Sequence, residues 1–407
     1  MISHRFRLLV LAAAAAAWTS LALAAVNLPS GFKMEEVAGS ELLSEPMDLC
    51  FAPDGAVWVT GRGGSVWRID TTTRAGRHVG SVPTEMSGDR GLHGIAFHPD
   101  FPKTPHIFLA YHATNAPTGK YRSRIARWTV GGTEASTSMD PASEKSLLEW
   151  EGDQAGQHVG GALLVHPTER LLYVTTGENN QNANLRKYCD DPENKAQSLS
   201  DLRGKVVRMG FDGSVPPGNP FVKTAGAQGL IYTRGHRQPW ALSYDATSRL
   251  ILLAENGGDL ADDYDEVNSL EAGANYGWPK VFGDGLLTQS RTNRAEGFTS
   301  PWFQYQRNTG ASCTGSFIYR PASSGRGFPA NYNGALFYAD FGRKTIRTAA
   351  VDPKSGKSGA STAFLQGLNA GPLAIRLGPD GALYFITHGG GTKASTNDVL
   401  ARIVWKP

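Results

Sequence analysis

The chain has 407 residues, with 40 Lys and Arg against 37 Asp and Glu and a formal net charge of +3. Charge this balanced, without runs of one sign, offers no footprint for nucleic acid or an anionic membrane, so a small-molecule partner is expected. With 48 Gly, 23 Pro and only 19% charged residues, and no sustained helical heptads, the composition favours many short strands joined by turns.

At the N-terminus, His4, Arg5 and Arg7 precede an Ala- and Leu-rich run that ends in Ala22-Leu23-Ala24, a small-x-small cleavage pattern. Residues 1–24 therefore read as a signal peptide, and a periplasmic or secreted protein without membrane insertion after its removal is expected. No Cys follows the cleavage pattern, which argues against a lipoprotein. The remaining residues, 25–407, read as one domain. Cys50, Cys189 and Cys313 are too few for a disulfide-built scaffold. Cys189 with Cys313 is the expected pair, because Cys50 lies in an apolar strand pattern.

Further along, one pattern recurs: an apolar strand, a Pro- or Asp-Gly-type turn, and a second apolar strand. Residues 47–59 are its clearest copy, turning at Pro53-Asp54-Gly55. The second copy runs from His93 through His98-Pro99-Asp100 to Leu109. A third follows from Ala162 through His166-Pro167 to Val174, a fourth from Ala241 to Leu252, and a fifth from Ser316 to Tyr338. The sixth, 373–385, turns at Pro379-Asp380-Gly381. Third strands are predicted at 65–69, 124–128, 205–209 and 345–347. Six copies of one strand-turn-strand unit predict an all-β, six-bladed β-propeller. The long insertions at 179–202 and 257–265 are then loops on one rim, where a rigid scaffold places its chemistry.

Three segments carry residues suited to chemistry. Gln157-His158-Val159-Gly160-Gly161 precedes an inner strand, which places His158 near the axis. An imidazole there suits a general base, or else bonds a neighbouring blade. Arg234-Gly235-His236-Arg237-Gln238-Pro239-Trp240 enters the next repeat in the same way. Arg237 offers a permanently charged fork of donors, or else a packing salt bridge. The stretch from Glu255 to Asn268 gathers carboxylates, amides and glycine carbonyls of the kind hard cations choose, or else is a solvated acidic loop. No zincin pattern, nucleophile elbow, P-loop or dinucleotide fingerprint is present.

Taken in order, Gly91-Leu92-His93-Gly94, Gln157-His158-Val159-Gly160-Gly161, Leu202-Arg203-Gly204-Lys205, Gly235-His236-Arg237-Gln238-Pro239, and Asp265-Glu266-Val267-Asn268 with Asn275-Tyr276-Gly277-Trp278-Pro279 resemble the glucose/sorbosone dehydrogenase family, the soluble aldose dehydrogenases dependent on pyrroloquinoline quinone (PQQ). The resemblance implies a six-bladed propeller that oxidises the anomeric carbon of an aldose to the lactone, using PQQ and Ca²⁺ and passing electrons to a soluble acceptor. It implies His158 as base and Arg237 and Gln238 as cofactor contacts, with Asp89 and Gln157 facing the sugar. It further implies the carbonyls of Gly257 and Gly258 as ligands of the Ca²⁺ beside the quinone, and Glu266 and Tyr276 as ligands of a second, structural Ca²⁺.

The chain departs from the family pattern where the cofactor's carboxylates and ring are held. Residues 368–372 lack the paired arginines and 308–314 lack the aromatic pair, leaving Arg343, Lys344 and Arg376 as cationic candidates. Glu178 stands where Asp is usual. Two other readings use the same residues. One is a non-catalytic, calcium-containing binding propeller similar to the hedgehog-interacting branch. The other is a calcium-dependent lactonase in which His158 activates water.

Overall fold

The turn that recurs in the sequence is built the same way each time it is sharpest. In the first copy Gly55 takes a positive φ of 84°, its N–H bonds the carbonyl of Ala52, and Asp54 accepts from the N–H of Ala56. In the sixth, Gly381 has φ 79°, its N–H bonds the carbonyl of Gly378, and Asp380 accepts from Ala382. Aspartate and glycine supply the two things the turn needs, a side-chain acceptor and a left-handed backbone. The apolar runs on either side are thereby returned antiparallel.

A computed structural model describes residues 26–133, 136–153, 157–179, 194–258, 263–283, 285–286, 297–321, 327–354, 356, 358–389 and 395–406. Residues 1–24, read from the sequence as a signal peptide, lie outside these. Among the described residues there is no α-helix, and none of the structure forms a helix long and apolar enough to cross a membrane.

Among the described residues the strands form six antiparallel blade sheets and one small two-stranded sheet, Val281–Phe282 with Gly285–Leu286. The first blade comprises Pro46–Phe51, Val57–Gly61, Ser65–Ile69 and Gly76–Ser81, and the second Leu92–Phe97, His106–Ala113, Lys120–Gly131 and Lys145–Asp153. The third runs through Gly160–Val165, Leu172–Thr176, Lys205–Met209 and Ile231–Arg234. Gln238–Asp245, Leu250–Asn256, Tyr264–Ser269 and Phe303–Gln306 make the fourth, and Cys313–Ile318, Leu336–Asp340, Thr345–Ala349 and Thr362–Leu365 the fifth. The sixth takes Gly371–Leu377, Leu383–His388 and Val399–Trp405 from the C-terminal end and its outer strand, Phe32–Ala38, from the N-terminal end.

Each innermost strand meets that of the next blade, and the sixth meets the first, so the ring closes as a six-bladed propeller. All six strand-turn-strand units expected from the sequence are innermost pairs of blades. The apolar core is divided into six layers, one between each pair of neighbouring blades. Because burial is satisfied between blades, the axis can stay polar. It is lined by one residue or more from every blade, among them Asp48, His93, Gly161, Trp240, Thr314 and Arg376.

The expected disulfide does not form. Cys313 is a free thiol, wholly buried at the start of the fifth blade's inner strand, where burial pushes its pKa up; Cys189 lies outside the described residues. Cys50 is a free, half-buried thiol.

Candidate active site

In an up-and-down blade, the start of the inner strand and the end of the second strand share a rim. His158, Arg237, Gln238 and Ser312 stand just before or at the start of inner strands, and Glu178, Gly257 and Gly258 follow second strands, so all belong to one mouth. The two long insertions open on this same rim, although 180–193 and 259–262 lie outside the described residues.

His158 is held in a left-handed backbone conformation, φ 58°, that a histidine adopts only under constraint. The constraint is visible. Its N–H donates to Asp89 Oδ2 at 2.9 Å and its carbonyl accepts from Asn179 N at 3.2 Å. Gly177 passes so close that a Cβ there would lie 1.6 Å from the His158 carbonyl oxygen. The ring is buried, and Nδ1 lies 2.6 Å from Glu178 Oε1. Burial first, and then the charges of Arg237 and Arg307, hold the imidazole well below its usual pKa. The contact with Glu178 is therefore that of a neutral ring donating Nδ1–H to a carboxylate, which leaves Nε2 as the acceptor. No described protein group bonds Nε2.

Arg237 is buried beside it. Its N–H donates to Glu255 Oε1 at 2.6 Å, its carbonyl accepts from Glu178 N at 2.9 Å, and its guanidinium lies 5.4 Å from the centre of the Trp278 ring. Glu255 is the staple here: its other oxygen takes His236 Nδ1 at 2.8 Å and Asn268 Nδ2 at 3.1 Å. His236, stacked on Tyr276 and bonded to Thr233, is thus a packing residue that fixes the strand entry carrying Arg237.

The residues expected to face a sugar divide. Asp89 Oδ2 is committed to His158 N and, at 3.4 Å, to Gln238 Nε2, so one oxygen positions His158; Gln157 is exposed beside it. Gln238 also accepts from Asn256 Nδ2 at 3.2 Å. Sequence reasoning assigned no role to Asp265, which ties the mouth together. Buried completely, it accepts from Gly257 N at 2.7 Å, Ser312 N at 2.7 Å and Arg307 Nη1 at 3.0 Å. Burial raises its pKa, and Arg307 opposes the rise. Arg307 itself went unremarked in the sequence, although it lies in a connector before an inner strand, as Arg237 does.

The three cations expected to replace the missing arginine pair are engaged elsewhere. Arg376 bonds Asp48 at 2.7 Å, Lys344 bonds the Asn369 carbonyl at 2.8 Å, and Arg343 bonds the Asn308 carbonyl.

For a cation, no described donor meets the carbonyls of Gly257 and Gly258, and Asp263 packs so near Gly258 that a Cβ would lie 2.1 Å from its Oδ2. Neutral carbonyls next to a carboxylate form an oxygen set that suits Ca²⁺. At the second expected site, Glu266 accepts from Asn268 Nδ2 at 2.9 Å and from Gly283 N. The Tyr276 hydroxyl donates to the Ser269 carbonyl and accepts from Glu271 N, so only the Tyr276 carbonyl is left to serve a metal there. No three His, Cys, Asp or Glu side chains gather into a metal-binding group among the described residues. For an organic ligand, Asn179 is buried with neither its Oδ1 nor its Nδ2 bonded among the described residues, and Asn256 Oδ1 is likewise unbonded among them. Buried amides with unmet capacity are uncommon, and two at one mouth fit a polar occupant that offers donors to the two amide oxygens and an acceptor to Asn179 Nδ2.

Residues 43–396 match the family described as Glucose / Sorbosone dehydrogenase. The chain is 27% identical over 354 residues to aldose sugar dehydrogenase YliI of Escherichia coli (strain K12), covering 85% of this chain and 87% of that protein. It is 29% identical over 253 residues to quinoprotein glucose dehydrogenase B of Acinetobacter calcoaceticus, covering 59% of this chain and 51% of that protein, so the match spans about half of that enzyme's length. The PQQ-bound aldose sugar dehydrogenase of Streptomyces coelicolor has the same fold, with a TM-score of 0.69, 22% identity, and coverage of 93% of this chain and 99% of that one. Residues 43–396, which contain every group described at the mouth, place this chain in the glucose/sorbosone dehydrogenase family.

Proposed function

We propose that the protein is an exported PQQ- and Ca²⁺-dependent dehydrogenase that oxidises an aldose at its anomeric carbon to the lactone and passes electrons to a soluble acceptor. The observation that carries this reading is His158: a buried, neutral imidazole anchored through Nδ1 to Glu178, with Nε2 unbonded beside Arg237. A ring held in that tautomer is poised to take a proton from a sugar hydroxyl at Nε2, and Glu178 is placed to stabilise the imidazolium so formed.

Gly257 and Gly258 would hold Ca²⁺ by their carbonyls, and Arg237, Gln238 and the amides of Asn179 and Asn256 would meet the cofactor. Bound PQQ with Ca²⁺ would supply the two-electron acceptor and the Lewis acid that polarises it. The chain's own part is electrostatic and steric. Arg237 keeps a fixed positive charge beside the base, favouring negative charge that develops there, while Asp89 and Gly177 fix where the base points.

The test is reconstitution with PQQ and Ca²⁺ followed by dye reduction across a panel of aldoses. Dye reduction that falls by about 10² to 10⁴ in His158→Gln, without loss of cofactor uptake, is the expected result. Quinone uptake without reduction by any aldose would overturn the dehydrogenase reading. Lactone hydrolysis by cofactor-free protein with Ca²⁺ would favour the hydrolase instead, and no quinone uptake at all would favour a binding propeller.

A further inference from the structure

Arg307 occupies the connector between the fourth and fifth blades, directly after Phe303–Gln306. Its backbone N–H donates to the Asp263 carbonyl at 2.9 Å, which fixes it against the loop carrying Gly257 and Gly258. One guanidinium nitrogen, Nη1, bonds Asp265 Oδ1, and the same oxygen accepts from Gly257 N. That is its one side-chain partner among the described residues, and the pair is monodentate. The side chain keeps 17% of its surface exposed, whereas Asp265 is wholly enclosed. Arg307 is thus anchored at one corner with the rest of its donor fork unspent. It is also close enough for its charge to act on the His158 ring, as the charge of Arg237 does.

Arg307 is the partner of the buried Asp265, but the pair uses a single guanidinium nitrogen. Asp265 also accepts two backbone N–H groups, so it engages one corner of Arg307 and leaves the remaining guanidinium donors near a neutral histidine and a second guanidinium, where a further anion is favoured. Two arginines from the connectors on either side of the fourth blade, beside open carbonyls, form a site for a ligand carrying more than one carboxylate. Resting on the quinone reading above, we infer that Arg307 is the carboxylate clamp of this chain, acting with Arg237 in place of the arginine pair that residues 368–372 lack. It binds a carboxylate of the cofactor through the nitrogens not used by Asp265, and Asp265 holds it at the distance of the Gly257 loop.

The test measures binding, not turnover. Wild type, Arg307→Gln and Arg307→Lys are titrated with PQQ and with its trimethyl ester, which keeps the ring and loses the three charges, by absorbance or calorimetry in the presence of Ca²⁺. Arg307→Gln is expected to weaken PQQ binding by about tenfold to a hundredfold while leaving the ester unchanged. Arg307→Lys recovers part of the loss. Comparing the two ligands within each variant cancels any general loosening of the mouth. Equal loss for PQQ and ester, or no loss for either, would overturn the clamp while leaving the quinone reading intact. Wild type that takes up neither ligand would overturn both.

Discussion

At the residue scale, the mouth depends on how closely the backbone of 177–179 runs beside that of 158–159. Gly177 is where this is tightest, since any Cβ would strike the His158 carbonyl at 1.6 Å and also press on Val159 N at 2.9 Å. Gly177→Ala must therefore push His158 away from Glu178 or break the Asn179 N–H bond to His158. Displacement of a catalytic group by about 1 Å costs roughly 10² in rate. We expect Gly177→Ala to lower kcat of the reconstituted enzyme by about that factor, as read by steady-state kinetics at saturating PQQ and Ca²⁺. Unchanged kcat would show that the base does not depend on this approach.

The same residues show what sequence could and could not convey. His158 and Arg237 were legible because each stands in a glycine- or proline-marked entry to an inner strand, a local signal. Asp265 and Arg307 were not, because their roles come from contacts between segments 42 and 47 residues apart that only the closed ring brings together. Nor was the engagement of Arg343, Lys344 and Arg376, which is decided by neighbouring carbonyls and by Asp48.

At the element scale, the inner two strands of each blade were readable from composition, since both are buried and joined by a turn with its own chemistry. The outer strands were less so. Gly76–Ser81 is largely exposed and lacks an apolar period, and Phe32–Ala38 finds its partner at the other end of the chain, Phe32 opposite Trp405. That closing strand is pinned by one ring. Phe32 makes edge contacts with Phe328 at 4.8 Å, Phe364 at 4.9 Å and Trp405 at 4.8 Å between centroids, and is buried. Phe32→Ala is expected to destabilise the fold by about 3–5 kcal/mol, read as a lower midpoint in urea denaturation. A change below about 0.5 kcal/mol, the scale of a surface substitution, would mean that the ring is not closed through this strand.

At the scale of the whole molecule, dividing the apolar core among six interblade layers frees the axis and one rim for polar groups. Asp48, His93, His158, Glu178, Arg237, Glu255 and Asp265 are all buried without entering any apolar layer. The same enclosure sets the charge state of the base. Because the His158 pKa is lowered in the folded protein, the ring stays neutral as pH falls through 6.5, while the unfolded chain binds a proton there. Its contribution to stability is present above pH 6.5 and is lost progressively as pH falls below that value, and the ring of the proposed base stays unprotonated down to the depressed folded pKa. The most direct measurement is ¹⁵N NMR of histidine-labelled protein titrated from pH 8 to 5, with His158→Gln used to assign the resonance. The expected result is a neutral ring with its proton on Nδ1 and no titration near pH 6.5. A His158 that protonates at or above 6.5, or carries its proton on Nε2, would contradict the proposed base.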